Sequence, residues 1–191
     1  MKKEYDNILT LLEKELVTND DHPTSVLINS LAPVHKKGYF TQYEFLEMCK
    51  WKEPRQRKRK YWQANTEEEV KMFSTKAFST QDEARRILTL CRLKGVGVPV
   101  ASAILTLTNP TNYGVIDIRV WQVLYTYNEV DYDKDGENIK ALHWLDYLEK
   151  IRDWANQFNT SARLIEQTLF KHHEKILIGP LYPNEKKKQN T

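Results

Sequence analysis

Apolar residues recur every three to four positions along most of this chain, and no run alternates apolar and polar residues in the way a half-buried strand requires. Tyr5, Ile8, Leu11, Leu12 and Leu16 share one helical face and predict a first helix over 5–17. The stretch TQYE at 41–44 is a capping box, in which Thr41 accepts from a backbone N–H and Glu44 reaches back to the cap. It opens a second predicted helix, which Trp51 and Pro54 close. Similar boxes at TEEE (66–69) and TQDE (80–83) predict helices over 67–76 and 81–92. An apolar helix from Pro99 to Leu107 follows, then a break at TNPTNYG (108–114) and a further helix after Asp117, with Val120, Trp121, Val123 and Leu124 apolar. Two amphipathic helices over 138–156 and 160–176 complete the pattern, the second capped by Asn159 or Thr160. The fold class expected is all-α.

Composition narrows the class. With 191 residues, 40% hydrophobic and 29% charged, the chain suits one packed unit or two small helical lobes sharing a core. No stretch approaches the roughly 18 consecutive apolar residues that span a bilayer, so no membrane association is expected. The opening MKKEYDNILTLLEKELV carries acidic residues where a secretory signal needs an unbroken apolar run. Cys49 and Cys91 lack Cys-x-x-Cys spacing, which argues against a zinc site or a cysteine-held iron–sulfur cluster, and free thiols suit an intracellular, cytoplasmic protein. His22, His35, His143, His172 and His173 are scattered, and helix geometry points the adjacent pair about 100° apart, so no metal is expected. The loop DYDKDGEN (131–138) starts like a calcium loop through Asp131, Asp133, Asp135 and Gly136, but Leu142 stands at the twelfth position where a glutamate is required. A turn is expected there.

Net charge is only +3, but its distribution is uneven. KWKEPRQRKRK (50–60) holds seven Lys or Arg against one Glu, with Trp51 inside it and Tyr61 and Trp62 after it. Lys52, Arg55, Arg57, Lys58, Arg59 and Lys60 are therefore candidates for a phosphate-contacting surface. The same run reads equally well as a solvated loop or helix face. A second basic run, EKKKQN (185–190), is expected to be a tail.

The turn LKGVGVPVASA (93–103) adds candidate chemistry. Gly95 and Gly97 can take positive φ and let another backbone come close, while the helix that follows offers free N–H groups and a partial positive charge to an anion. Arg85, Arg86, Arg92 and Lys94 make the surroundings basic. A plain helix-to-helix corner with a glycine cap is the alternative. Twenty residues after Gly97, Asp117 ends an apolar stretch and precedes a helix. It reads as an N-cap or as a carboxylate partly desolvated by Val115, Ile116 and Trp121.

Together, LKGVGVPVASAIL and GVIDIRVWQVL resemble the helix-hairpin-helix, Gly/Pro-rich loop and aspartate signature of the endonuclease III superfamily of DNA glycosylases. Leu93, Gly95, Val96, Gly97, Ala101, Ile104 and Leu105 match its first half and Asp117, Val120 and Val123 its second, over residues 93–124. The resemblance implies a two-lobed all-α fold in one unit over 1–191. A hairpin lobe would span 41–130, a second lobe 1–40 plus 131–180, and a tail 181–191. It further implies that the hairpin residues Leu93, Lys94, Gly95, Val96, Gly97 and Val98 grip a backbone phosphate of double-stranded DNA, and that Asp117 is the catalytic carboxylate. Such an enzyme hydrolyses an N-glycosidic bond after flipping the base into a pocket, for whose walls Trp62 and Tyr113 are candidates. A monomer without cofactor is expected, nucleoid-associated if the source is a prokaryote.

The chain departs from the pattern in three places. Members that also cut the strand carry a nucleophilic lysine where this chain has Pro99, which implies a hydrolytic enzyme with no Schiff base from that position. Arg119 replaces the usual His and Gln122 the usual Arg, so the support of the aspartate's helix must be rebuilt or lost. The cysteines of a cluster are absent. A non-catalytic DNA-binding relative is the alternative reading.

Overall fold

The computed structural model describes residues 1–178 and 181; the basic run at 185–190 lies outside them, as does the expected tail apart from Leu181. Among the described residues the fold is all-α, with ten helices and no strand. In chain order they are α1 (Ile8–Glu15), α2 (His22–Lys37), α3 (Gln42–Lys52), α4 (Arg59–Trp62), α5 (Glu67–Ser79), α6 (Glu83–Leu90), α7 (Val98–Thr108), α8 (Ile118–Thr126), α9 (Ala141–Gln157) and α10 (Ala162–Ile176).

Capping chemistry sets most of these boundaries. The boxes at Thr41/Glu44 and Thr66/Glu69 form as the sequence predicts. TQDE behaves differently. Thr80 ends α5, and Asp82 caps α6 by accepting from Arg85 N–H at 3.0 Å, so the helix predicted over 81–92 shortens to eight residues. The cap of α10 is Ser161 rather than Asn159 or Thr160, because Asn159 is turned into the left-handed region at φ +48°. No helix is predicted between 18 and 40, yet α2 occupies 22–37. Asp21 caps it, Pro23 sits in its first turn where a missing N–H costs nothing, and Gly38 at φ +73° closes it.

The buried side chains form one continuous cluster from Ile8 to Leu169. At its centre is α7, in which every residue except Pro99 is buried, and α2, α3, α6 and α9 pack around it. A helix with no polar face needs such a surround. α8 lies against α10, and Trp62, Trp121 and Trp144 are fully buried. The 131–138 loop is a turn that seats Gly136 against the Trp121 ring, while the Trp121 indole N–H donates to the Asp133 carbonyl at 2.8 Å.

Candidate active site

The 93–97 turn is held from beneath. Gly95 stands at φ +81°, and a side chain there would start 2.7 Å from Trp62 Cδ1, so the backbone rests directly on the indole. The Trp62 N–H donates to the Gly95 carbonyl at 3.1 Å. Buried Asn65 clasps the neighbouring peptide: its Oδ1 accepts from Lys94 N–H at 2.7 Å and its Nδ2 donates to the Lys94 carbonyl at 3.1 Å. Lys94 Nζ is drawn away to the Ala64 carbonyl and Glu69. Leu93, Val96 and Val98 are buried.

Gly97 is different from Gly95. Its φ of −101° is open to any residue, so only Gly95 uses the left-handed freedom that both glycines have, and the nearest atom to a side chain at 97 would be Pro99 Cδ at 3.9 Å. Free space, not strain, distinguishes the position. Gly97 also caps α7: its carbonyl accepts from the Val100 (3.0 Å) and Ala101 (2.9 Å) N–H groups, and Pro99 has none to offer.

The segment 113–117, outside any helix, leads into α8 and is fixed by two side chains. Ser102 of α7 accepts from Ile116 N–H at 3.1 Å, and Tyr147 of α9 donates to the Val115 carbonyl at 3.1 Å. Asp117 is delivered at the N-terminus of α8. Its Oδ1 accepts from the N–H groups of Arg119 (3.0 Å) and Val120 (3.2 Å), which fills the N-cap role. Its Oδ2 faces the other way and accepts from Lys52 Nζ at 2.9 Å. Burial opposes ionisation of this carboxyl, but the Lys52 ammonium and the two backbone donors outweigh it, and its pKa lies below the ordinary aspartate value.

Asp117 and Lys52 stand between two cavities and line both. One, of about 540 Å³, runs past Gly97 and Pro99 with Arg57, Lys58 and Arg119 on its walls. The other, of about 390 Å³, is walled by Trp51, Val115, Arg163, Glu166, Gln167 and Phe170. Here Arg163 sits over the Trp51 ring at 5.3 Å and bridges Asp20 and the buried Glu166. Burial raises the Glu166 pKa, Arg163 works against it, and the Asp117 charge adds to it. A fixed carboxylate between an aromatic-walled cavity and a basic one can stabilise a developing cation and orient water.

The structure gathers Asp117, Gly97, Lys52, Arg57 and Lys58 around one cavity, with Arg55, Arg59 and Lys60 exposed nearby in sequence but not on its walls. Trp62 and Tyr113 are not brought to Asp117. Trp62 is consumed in supporting the turn, while Tyr113 stacks on Trp144, donates to Glu83 and lines a separate cavity with Lys37, Lys71 and Arg86. The aromatic residues of the Asp117 cavity are instead Trp51 and Phe170. Gln122 and Arg119 anchor α8 to α10: His173 donates to Gln122 Oε1 at 2.9 Å and Arg119 pairs with Glu174 at 3.4 Å. His172 points elsewhere, to Tyr127 at 2.9 Å. It gathers with Glu4 and Glu15 as a possible ligand group, but Lys175 and the Tyr5 hydroxyl already occupy Glu15.

Sequence reasoning missed Lys52 as the partner of Asp117, Asn65 as the clasp of the turn, and Arg163 with Glu166 as the far wall. Only the basic run pointed toward Lys52. The others lie in helical patterns that look like ordinary amphipathic faces. No protein-family model, curated protein or solved structure was found to match this chain.

Proposed function

We propose that the protein is a DNA base-excision glycosylase that hydrolyses the N-glycosidic bond of a damaged or mismatched base. The observation that carries this reading is Asp117, fixed at the start of α8 and lining one cavity with the open backbone of Gly97, Arg57 and Lys58. In this reading the turn and the basic residues hold the phosphodiester backbone. The flipped base enters the cavity walled by Trp51 and Phe170. Positive charge builds on the sugar as the base departs, and Asp117, kept ionised, stabilises that charge and orients water toward C1′. Pro99 gives the turn no amine, so base removal falls to water.

The test incubates the protein with duplexes carrying uracil, mismatched thymine, alkylated purines or 8-oxoguanine, followed by alkali to cut at abasic sites. One lesion is released, and Asp117→Asn slows its release by about a hundredfold or more. Release from no duplex, or equal release by the variant, refutes the reading. The ion pair with Lys52 favours a second reading, in which Asp117 is a structural cap in a non-catalytic DNA-binding protein. That protein binds duplex in a salt-sensitive way and releases no base.

A further inference from the structure

We propose that Lys52 is a second reactive group of this site and gives the protein an abasic-site lyase activity, with the Lys52 amine forming an imine to C1′ of the ring-opened sugar. The inference rests on the glycosylase reading above and extends it to the step after base removal. Its basis is where this amine lies. Among the seven cations of residues 50–60, Lys52 alone is not exposed; its side chain is 17% accessible and turns inward from the last position of α3. Asp117 is its one hydrogen-bond partner among the described residues, and both side chains line the two cavities that meet there. A sugar placed against Asp117 is therefore also within reach of Nζ. Other amines are placed worse: Lys94 is tied to Ala64 and Glu69, while Lys58 and Lys171 are exposed at the cavity rims.

The chemistry divides between the two partners. While Lys52 is paired with Asp117 as an ammonium it has no free lone pair, so water attacks first and leaves an abasic sugar whose open form carries an aldehyde at C1′. Lys52 then gives one proton to Asp117 Oδ2, the freed amine adds to the aldehyde carbon, and Asp117 returns that proton to the departing oxygen. The C1′–N bond forms, the aldehyde oxygen leaves as water with two of the nitrogen's protons, and the third proton stays on the iminium, so no net proton is needed. Asp117 Oδ2, no longer facing an ammonium, accepts a proton from C2′. The C–H pair forms an enamine, which expels the 3′ phosphate as the C3′–O bond breaks and the iminium is restored. Water hydrolyses the iminium, releasing an unsaturated aldehyde and Lys52.

The experiment uses the full chain and a duplex with one preformed aldehydic abasic site, so it does not depend on knowing the lesion. Sodium borohydride in the reaction reduces the imine to a stable cross-link, which is counted on a denaturing gel and mapped by peptide mass spectrometry. Strand cutting without alkali is read in parallel. The cross-link maps to Lys52 and falls to the no-protein background in Lys52→Arg, which keeps a cation opposite Asp117, and in Lys52→Gln, with melting temperature as the check on folding. No cross-link, mapping to Lys58 or Lys171, or an undiminished cross-link in Lys52→Arg overturns the assignment. If bases are released from the lesion panel while no sugar is trapped, the Lys52 proposal fails and the glycosylase reading stands. Trapping at Lys52 without release of any base supports the lyase and overturns that reading.

Discussion

The two glycines of the turn make opposite demands, and substituting each by alanine separates structure from function. In Gly95→Ala the new methyl is forced into the left-handed region at φ +81°, where a residue with a side chain loses about 1–2 kcal/mol. It also starts 2.7 Å from Trp62 Cδ1 and 2.9 Å from Tyr61 Cβ. Trp62 is fully buried and cannot step aside, so overpacking adds about 1–3 kcal/mol. Reduced freedom of the unfolded chain returns about 0.4–1 kcal/mol. The net loss is about 1–4.5 kcal/mol, which for a chain of this size lowers the melting temperature by about 2–18 °C. In Gly97→Ala the backbone is already allowed and the space is open, so stability is unchanged or rises by a few tenths of a kcal/mol. The methyl instead stands where a phosphate is proposed to approach the start of α7. Duplex affinity falls about tenfold, the worth of one charge-assisted hydrogen bond. Calorimetric melting and duplex binding at two salt concentrations read the two effects. A Gly95→Ala protein that melts like the native one refutes the argument for support by Trp62, and a Gly97→Ala protein that binds duplex like the native one refutes the phosphate grip.

Three further outcomes follow from the packing around the site. Gly114→Ala places a methyl 2.7 Å from Glu166 Cβ and 2.8 Å from the Tyr147 hydroxyl, and costs about 3 kcal/mol in urea denaturation; a loss under about 1 kcal/mol shows that α10 can shift to admit it. His173 is buried beside Arg119, with Asp117 and His172 also near, and burial foremost, then Arg119, depresses its pKa to about 4. The unfolded imidazole binds a proton near 6.5 and the folded one only near 4, so stability is complete above 6.5 and falls as pH drops toward 4, by up to about 3 kcal/mol at about 1.4 kcal/mol per pH unit. His173→Gln, which still donates to Gln122, flattens that slope between pH 7 and 5; an unchanged slope assigns it to another group. Burial raises the thiol pKa of Cys49, and pushes that of Cys91 up to about 11, so both alkylate slowly until the chain unfolds, as a timed thiol titration with and without urea shows.

The helices were legible in the sequence where a side chain closes its own backbone. Thr41 with Glu44 and Thr66 with Glu69 act within one turn, so reading four residues suffices. α2 was hidden because Pro23 and Pro33 look like breakers. A proline in the first turn costs no hydrogen bond, however, and one in the interior costs a bond that packing on α7 offsets. The turn and Asp117 could be found because glycine and a capping carboxylate are needed at fixed spacings along the chain. Their surroundings could not. Lys52 reaches Asp117 across 65 positions, Arg163 reaches Asp20 across 143, and Asn65 reaches Lys94 across 29, and no local period encodes such distances.

That difference also separates the two indoles at the basic run. Trp51 lies inside the basic run and Trp62 just after it, and the two are chemically alike, but α3 carries Trp51 to the cavity while α4 ends with Trp62 beneath Gly95. The indole under Gly95 fixes the backbone, whereas the Trp51 indole lines the cavity with Arg163 over its ring and its N–H donated to Thr24. Only the paths of α3 and α4 assign the two roles. The same path brings Lys52, one residue beyond Trp51, to Asp117 while the rest of the basic run stays in solvent. One helix end therefore supplies both the aromatic wall of the cavity and the ammonium that faces its carboxylate.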